Sequence, residues 1–380
     1  MKKPKKIQRY LLSDIKNVLS KKMAFIGGPR QVGKTTLCLS LIQPSSVKNI
    51  AYLNWDDITK KSAIKNAELP PTETLIFDEI HKYKNWRNLI KGIYDLHYED
   101  KKILVTGSAR LDYYRKGGDS LLGRYRYFRL HPLSVNELEI KTNNQLSDLL
   151  VLGGFPEPFF SSSQKESRLW QRERLYRIVN DDILNLEKLR ELSLIENLAE
   201  LLPDRVGSLL SINSLSEDLS VNQRTVAHWI QILENVYYCY TIPPFGAPKI
   251  RAMKKSKKLY LWDWSSIPEE GPRFENLVAS HLLKFCHYIE DTEGHRMELR
   301  YLRDTSDREV DFVILKNKKP IFAVECKSGD RSLSSSIHYF KERLNIPKYY
   351  QVHMKERDYV PASGIRVLPF ITFCREIGIP

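Results

Sequence analysis

The sequence predicts an α/β protein of several domains: a parallel-sheet domain first, a mostly helical middle, and a second α/β domain at the C-terminal end. Three observations predict it. An apolar run, Met23–Gly27, leads into a glycine-containing loop and then into the helix-like stretch TTLCLSLI. Two further strand-like runs follow, TLIFDE from Thr74 and KKILVTGS from Lys101, separated by helix-like residues 86–97. After residue 298 come two strand-like stretches and then KPIFAVECK, which places acids and a lysine at the period of a strand. A length of 380 residues suits about two to three domains.

The loop carries the sharpest chemistry. Gly28, Pro29, Arg30, Gln31, Val32, Gly33, Lys34 and Thr35 fit G-x-x-x-x-G-K-[ST] at every fixed position, and Thr36 continues into the helix. Glycines let backbone N–H groups face phosphate oxygens, and the helix adds its positive N-terminal end. Lys34 is placed to reach the β- and γ-phosphates of ATP, and Thr35 to offer its hydroxyl to Mg²⁺. The run Thr74–Phe77 reads as a buried parallel strand ending in two acids. Asp78 can hold the Mg²⁺ shell, and Glu79 can polarise the attacking water. The third strand ends in Thr106-Gly107-Ser108, where a small polar side chain could touch the γ-phosphate or simply close a turn.

GGPRQVGKTTL, LIFDEIHK, ILVTGSAR, LLGRYRYFRLHPLS and GGFPEP together resemble a prokaryotic AAA+ ATPase family whose C-terminal region is described only as a domain of unknown function. The resemblance runs from about residue 7 to the end. It implies ATP and Mg²⁺ as cofactors, Lys34, Thr35, Asp78 and Glu79 in the roles above, and Ser108 as a sensor-like residue, a position where many AAA+ proteins carry Asn. It also implies a homo-oligomer, a hexamer among the forms it could take, with an arginine from a neighbouring subunit completing the site. Arg124 is the first candidate, with Arg110 and Arg126 behind it; the alternative is a solvated arginine in a basic strand.

Residues 146–203 read as a helical lid and connector, with charge on a solvated helix face. Residues 204–265 have the cadence of a winged helix. SINSLSEDL is one helix, SVN a turn, and QRTVAHWIQILENV an amphipathic helix with Val226, Trp229, Ile230 and Leu233 on its apolar side. In such a fold the last helix enters a DNA major groove, which makes Asn222, Gln223, Arg224 and His228 candidate DNA contacts. Next, PKIRAMKKSKKLYLWDW holds six basic residues between Pro248 and Leu259 and no acid. Lys254, Lys255, Lys257 and Lys258 are expected to lie along a phosphate backbone. Packing alone, or a flexible basic loop, is the other reading of these two segments.

Residues 266–380 form the last domain. Glu275 sits on an amphipathic helix, Asp311 on the second of two strands, and Glu325 and Lys327 two apart on a third. Glu and Lys beside an Asp from the adjacent strand resemble the PD-(D/E)xK nucleases, with Val310 standing where the motif has Pro. The resemblance implies a restriction-endonuclease-like fold, Asp311 and Glu325 as Mg²⁺ ligands, Lys327 positioning water, and Glu275 completing the cluster. Carboxylate oxygens suit Mg²⁺, which leaves positions open for phosphate and water.

Composition sets the class. With 60 Lys and Arg against 46 Asp and Glu, the formal charge is +14, a balance that attracts polyanions and nucleic acid first. The basic start lacks the apolar run of a signal peptide, and no stretch is apolar for the ~18 residues a membrane span needs. The five cysteines, Cys38, Cys239, Cys286, Cys326 and Cys374, are scattered and never in a CxxC pair, which fits reduced thiols in a cytoplasm. The expectation is an AAA+ ATPase core over 1–145 coupling hydrolysis to remodelling or translocation of DNA, branched forms included. Its rivals are an ATP-gated nuclease of a defence or mobile-element system and a nucleotide-gated protein-interaction switch.

Overall fold

A computed structural model describes residues 7–107, 121–183, 191–246, 256–329 and 332–380. The chain divides into two compact units. One comprises residues up to His131 together with Asp181–Lys188 and Asn235–Tyr237; the other holds Pro132–Asn180, Leu189–Glu234 and Tyr238–Pro380.

The first unit is built on strands β1 (Met23–Gly27), β2 (Tyr52–Asn54), β3 (Thr74–Asp78), β4 (Lys102–Gly107) and β5 (Tyr125–Arg129). Their order is β2-β3-β4-β1-β5, and every pair is parallel. All five residues of β1 are buried, as a strand covered on both faces requires. Helices α1 (Leu12–Leu19), α2 (Lys34–Leu39), α3 (Ile58–Lys65) and α4 (Trp86–His97) alternate with the strands. Asp57 caps α3 by accepting the Thr59 N–H at 3.0 Å. α4 buries Trp86, Ile90 and Ile93, one stripe at helical spacing, into a core with Phe25, Phe77 and Val105. Because β4 lies between β1 and β3, their carboxyl ends stand side by side: Gly27 opposite Gly107, and Thr106 opposite Asp78. Open parallel sheets bind ligands at that end.

The second unit begins with a strap, Pro132–Ile140, and four helices: α5 (Asn143–Leu152), α6 (Pro156–Ser161), α7 (Gln164–Arg177) and α8 (Leu192–Leu201). A capping box between Thr142 and Gln145 starts α5. Gly154 follows it because a Cβ there would stand 2.5 Å from the Trp264 ring and 2.8 Å from the Leu133 carbonyl. Two helices joined by a short turn come next, α9 (Ile212–Asp218) and α10 (Gln223–Asn235), then an antiparallel ribbon of β6 (Cys239–Ile242) and β7 (Lys258–Leu261). Val226, Trp229, Ile230 and Leu233 are buried, as the amphipathic spacing of α10 predicts.

The long helix α11 (Glu270–Glu293) precedes a mixed six-stranded sheet: β8 (Met297–Arg303), β9 (Glu309–Lys316), β10 (Lys319–Lys327), β11 (Tyr349–His353), β12 (Tyr359–Ala362) and β13 (Ile365–Pro369). The order is β12-β13-β11-β10-β9-β8. β8, β9 and β10 form an antiparallel meander, while β11 is parallel to both β10 and β13. Helices α12 (Ser335–Arg343) and α13 (Phe370–Glu376) complete the unit. The strap is held to α11 and the chain's last residues. The Val135 N–H donates to His281 Nε2 at 3.1 Å, Lys284 pairs with Glu137, and Asn136 Nδ2 donates to the Ile379 carbonyl at 2.6 Å.

Candidate nucleotide site and a C-terminal carboxylate cluster

The phosphate-loop residues lie at the carboxyl end of the parallel sheet. Gly28 has φ +153°, and a Cβ on it would stand 2.4 Å from the Leu130 carbonyl oxygen, so the loop passes closer to β5's continuation than any side chain permits. Arg9 pins the loop from beneath, donating to the Val32 carbonyl at 2.6 Å and to the His131 carbonyl. Lys34 is 5% exposed, and its Nζ donates to the carbonyls of Gly28 and Pro29, each at 2.9 Å. Burial lowers its ammonium from the ordinary value, opposed by Glu79, Asp78 and Asp182. Arg30 extends the other way, with Nη1 3.0 Å from Asp181 Oδ2 and 3.2 Å from Asp182 Oδ1. Burial pushes the Asp182 carboxyl up to about 6, against the pull of Arg30.

Asp78 is the hub. Thr35 Oγ1 donates to its Oδ2 at 2.9 Å, Tyr52 OH to the same oxygen at 2.5 Å, and Thr106 Oγ1 to Oδ1. Glu79, next in the chain, adopts φ +53°, and its Oε2 lies 3.6 Å from His81 Nε2 and 3.9 Å from Lys82 Nζ. Burial lowers the His81 imidazole. A glycine cradle, a buried lysine and a hydroxyl–carboxylate pair beside it make a donor set that fits Mg²⁺ and the phosphates of a nucleotide. Tyr52 and the acids Asp181 and Asp182 are additions to the residues read from sequence. No local motif marks them, since each reaches the site only through tertiary packing. Arg124 lies on the same unit, with Nε 2.7 Å from Asp95 Oδ1. Ser108 and Arg110 fall outside the described residues.

In the second unit, Asn222, Gln223, Arg224 and His228 are all exposed at the start of α10. Two of them also serve the turn: Asn222 Oδ1 accepts the Thr225 N–H at 2.9 Å, and Gln223 Nε2 donates to Asn213 Oδ1 at 2.7 Å. Of the basic run, Lys254 and Lys255 lie outside the described residues, and Lys257 is half-buried.

Lys258 corrects the reading of a phosphate-facing lysine. It is 2% exposed, and its Nζ pairs with Glu309, with Glu275 Oε1 at 3.3 Å and with Asp311 Oδ1 at 3.9 Å. In the β6–β7 ladder it pairs with Ile242, on the ribbon's inner side. Around it, Tyr260 OH donates to Glu275 Oε1 at 2.7 Å, and Asp311 Oδ2 accepts the Cys326 N–H at 2.7 Å. Lys327 Nζ lies 2.6 Å from Glu325 Oε1, as two residues on one strand face should. Burial, then the charge of Asp311, raises both Glu275 and Glu325 to about 7, against the pull of Lys258 and Lys327 respectively. Glu275, Asp311, Glu325 and Lys327 therefore gather as the motif predicts. The metal assignment to Asp311, Glu325 and Glu275 is corrected: among the described residues no three His, Cys, Asp or Glu side chains are placed to hold an ion, and an ammonium stands among the acids. The donor set does not fit Mg²⁺.

Comparison with known proteins follows this division. Residues 20–139 match the family described as an AAA domain, residues 143–267 a domain of unknown function (DUF8612), and residues 270–373 a second domain of unknown function (DUF4143). An uncharacterised protein of Methanocaldococcus jannaschii is 23% identical, over 93% of this chain and 85% of its own length. One of Mycobacterium tuberculosis is also 23% identical, over 91% and 80%. Among solved structures, the Holliday junction branch migration motor RuvB of Thermotoga maritima aligns with 62% of this chain and 89% of its own, at 16% identity and TM-score 0.29. A signal transduction ATPase with numerous domains from Pyrococcus horikoshii aligns with 76% and 50%, at 14% identity and TM-score 0.25. Among the described residues no helix is long and apolar enough to cross a membrane. The chain thus opens with a parallel-sheet P-loop domain of AAA type, followed by two regions shared with uncharacterised prokaryotic proteins.

Proposed function

We propose that the protein is an ATPase that couples hydrolysis to remodelling or translocation of DNA. The observation that carries the reading is the convergence of Lys34, Thr35, Asp78 and Glu79 at one end of the parallel sheet. Thr35 and Asp78 would hold the Mg²⁺ that comes with ATP, and its charge would offset the charge that develops on the phosphates. Lys34, released from the Gly28 and Pro29 carbonyls, turns its ammonium toward the phosphates. Glu79 orients water and takes its proton. Ser108, the residue after Gly107 in sequence, is the sensor-like residue. Arg124, exchanging Asp95 for a phosphate of a neighbouring subunit, is the arginine that completes the site in a homo-oligomer.

The DNA part of the reading is supported by a net charge of +14 and by the exposed N-terminal face of α10, where Arg224 and His228 stand clear of the buried stripe. A helix-turn-helix followed by a two-stranded ribbon is the order of a winged helix, with the second helix as the reading element. The mixed sheet with Glu275, Asp311, Glu325 and Lys327 together is consistent with a nuclease-like fold. Its acids are engaged by lysines, which favours a binding or structural role over cleavage. The reaction compartment we propose is the cytoplasm, given scattered thiols among which Cys38, Cys239, Cys286 and Cys374 are buried.

The test is the ATPase rate with no nucleic acid, with duplex and with forked DNA, using Glu79→Gln as the inactive control. Stimulation by one DNA form, with a mobility shift that weakens as salt rises, is the expected result. Arg224→Ala should weaken that shift and lower the salt slope by about one unit. A rate indifferent to every nucleic acid, with no shift at low salt, sinks the DNA reading and leaves the nucleotide-gated switch.

A further inference from the structure

The acids of the last domain come from three elements: Glu275 from α11, Glu309 and Asp311 from β9, and Glu325 from β10. Glu309 and Asp311 share one face of their strand, two residues apart. In a metal-dependent site such a set would surround a divalent cation. Here the space is taken. Lys258 Nζ lies within ion-pair distance of Glu275, Glu309 and Asp311 at once, donating to the first two and standing 3.9 Å from Asp311 Oδ1.

Among the described residues the lysine is enclosed. Its backbone is fixed opposite Ile242 in the ribbon and bridged to Leu209 on the other side. The Tyr301 ring lies 5.9 Å from its Nζ, and the side chain is 2% exposed. Burial alone pulls the ammonium down, but Glu275, Asp311 and Glu309 outweigh it and hold it above its ordinary value. Mg²⁺ demands near-octahedral oxygen ligands at about 2.0–2.1 Å and keeps several waters. An ammonium within ion-pair distance of three of the four acids already supplies the positive charge that a divalent ion would bring there. On the far side, Glu325 Oε1 is bound to Lys327.

We infer that Lys258 is the resident cation of this cluster: the C-terminal domain assembles its acids around an ammonium and binds no divalent metal there. The cation comes from residues 143–267 and the acids from residues 270–373, so the ion pairs also join the two matched regions within one unit. Removing the ammonium leaves three partly buried carboxylates without their shared partner, a state that either takes up another cation or destabilises the domain.

The test is Mn²⁺ titration, read by electron paramagnetic resonance, of the nucleotide-free full chain carrying Asp78→Asn, which takes the nucleotide-site metal position out of the measurement. The expected result is no saturable Mn²⁺ uptake at millimolar metal, and an unchanged signal when Asp311→Asn is added. Lys258→Met in the same background should gain a single saturable site that Asp311→Asn abolishes. Saturable uptake in the Lys258-containing chain that Asp311→Asn removes would overturn the inference, and so would a folded Lys258→Met chain that takes up nothing. Should circular dichroism show Lys258→Met unfolded, the comparison of the two Lys258-containing chains decides by itself. ATP binding, measured separately on the unmodified chain, reports the first unit's site, so failure there is distinguishable from failure here.

Discussion

Thr35 Oγ1 donates to Asp78 Oδ2 at 2.9 Å across 43 residues of sequence. The bond ties the helix after the phosphate loop to the end of β3, and so sets the two metal-holding groups beside Lys34. Lys34→Ala removes a charge-assisted contact to phosphate worth about 1.5–3 kcal/mol, so ATP affinity should fall roughly 10- to 150-fold in a fluorescent-nucleotide titration. Glu79→Gln should bind ATP as before and lose turnover by about 10²–10⁴-fold, the range of a general base. Equal affinity in Lys34→Ala and the parent would remove the loop from nucleotide binding.

Gly28 tests the cradle without touching charge. Alanine there forces a Cβ to within 2.4 Å of the Leu130 carbonyl oxygen at φ +153°. The loop must shift, at a cost of about 1–3 kcal/mol. Gly28→Ala should therefore lose ATP affinity and lower the melting midpoint together, whereas Gly92→Ala, where a Cβ meets nothing within 4 Å, should do neither.

The Lys284–Glu137 ion pair is closed to solvent on both sides, with side-chain exposures of 2% and 3%, and Lys284 Nζ also donates to the Pro132 carbonyl at 3.3 Å. Lys284→Met strands a buried carboxylate and should destabilise the chain by about 3–5 kcal/mol. Adding Glu137→Leu should recover most of the loss. A double variant no better than the single one would show that the charge of Glu137 is not what suffers.

His281 gives a pH dependence whose sign is fixed by geometry. Its Nδ1–H donates to the Leu277 carbonyl at 2.8 Å and its Nε2 accepts the Val135 N–H at 3.1 Å, so the folded ring is neutral. Burial, foremost, lowers its pKa to about 3, while the unfolded value is about 6.5. Folding with a depressed pKa means stability is complete above about 6.5 and lost progressively as pH falls toward 3. Between pH 7 and pH 5 this group alone should take away about 2 kcal/mol, seen as a lower urea midpoint. His281→Gln should flatten that part of the profile; an unchanged slope would assign the pH dependence to other groups.

Local pattern made part of this molecule legible. The phosphate loop announces itself because backbone geometry demands glycines at fixed spacing. The strands ending in Asp78 and Gly107 show as short apolar runs, because a parallel sheet is buried on both faces. The acids of the last domain were visible through the period of two that puts Glu325 and Lys327 on one face. Contacts made across long loops left no such trace. Tyr52 reaches Asp78, and Asp181 and Asp182 reach Arg30, only when distant segments meet. Lys258 misled for a related reason: it sits in a run of like charges, and composition cannot say which lysine of a ribbon turns inward.

The strap Pro132–Ile140 bears on how this protein can be taken apart. The AAA-domain match ends at residue 139, yet Leu133, Val135 and Ile140 are buried at 2% exposure or less in the second unit, and Ser134 and Asn136 bond to Pro380 and Ile379. A fragment ended at the family boundary would carry off an apolar ribbon belonging to its neighbour and expose a greasy trough along α11 in the remainder. A cut after His131 keeps that ribbon with the residues that bury it, yet still parts Arg30 from Asp181 and Asp182.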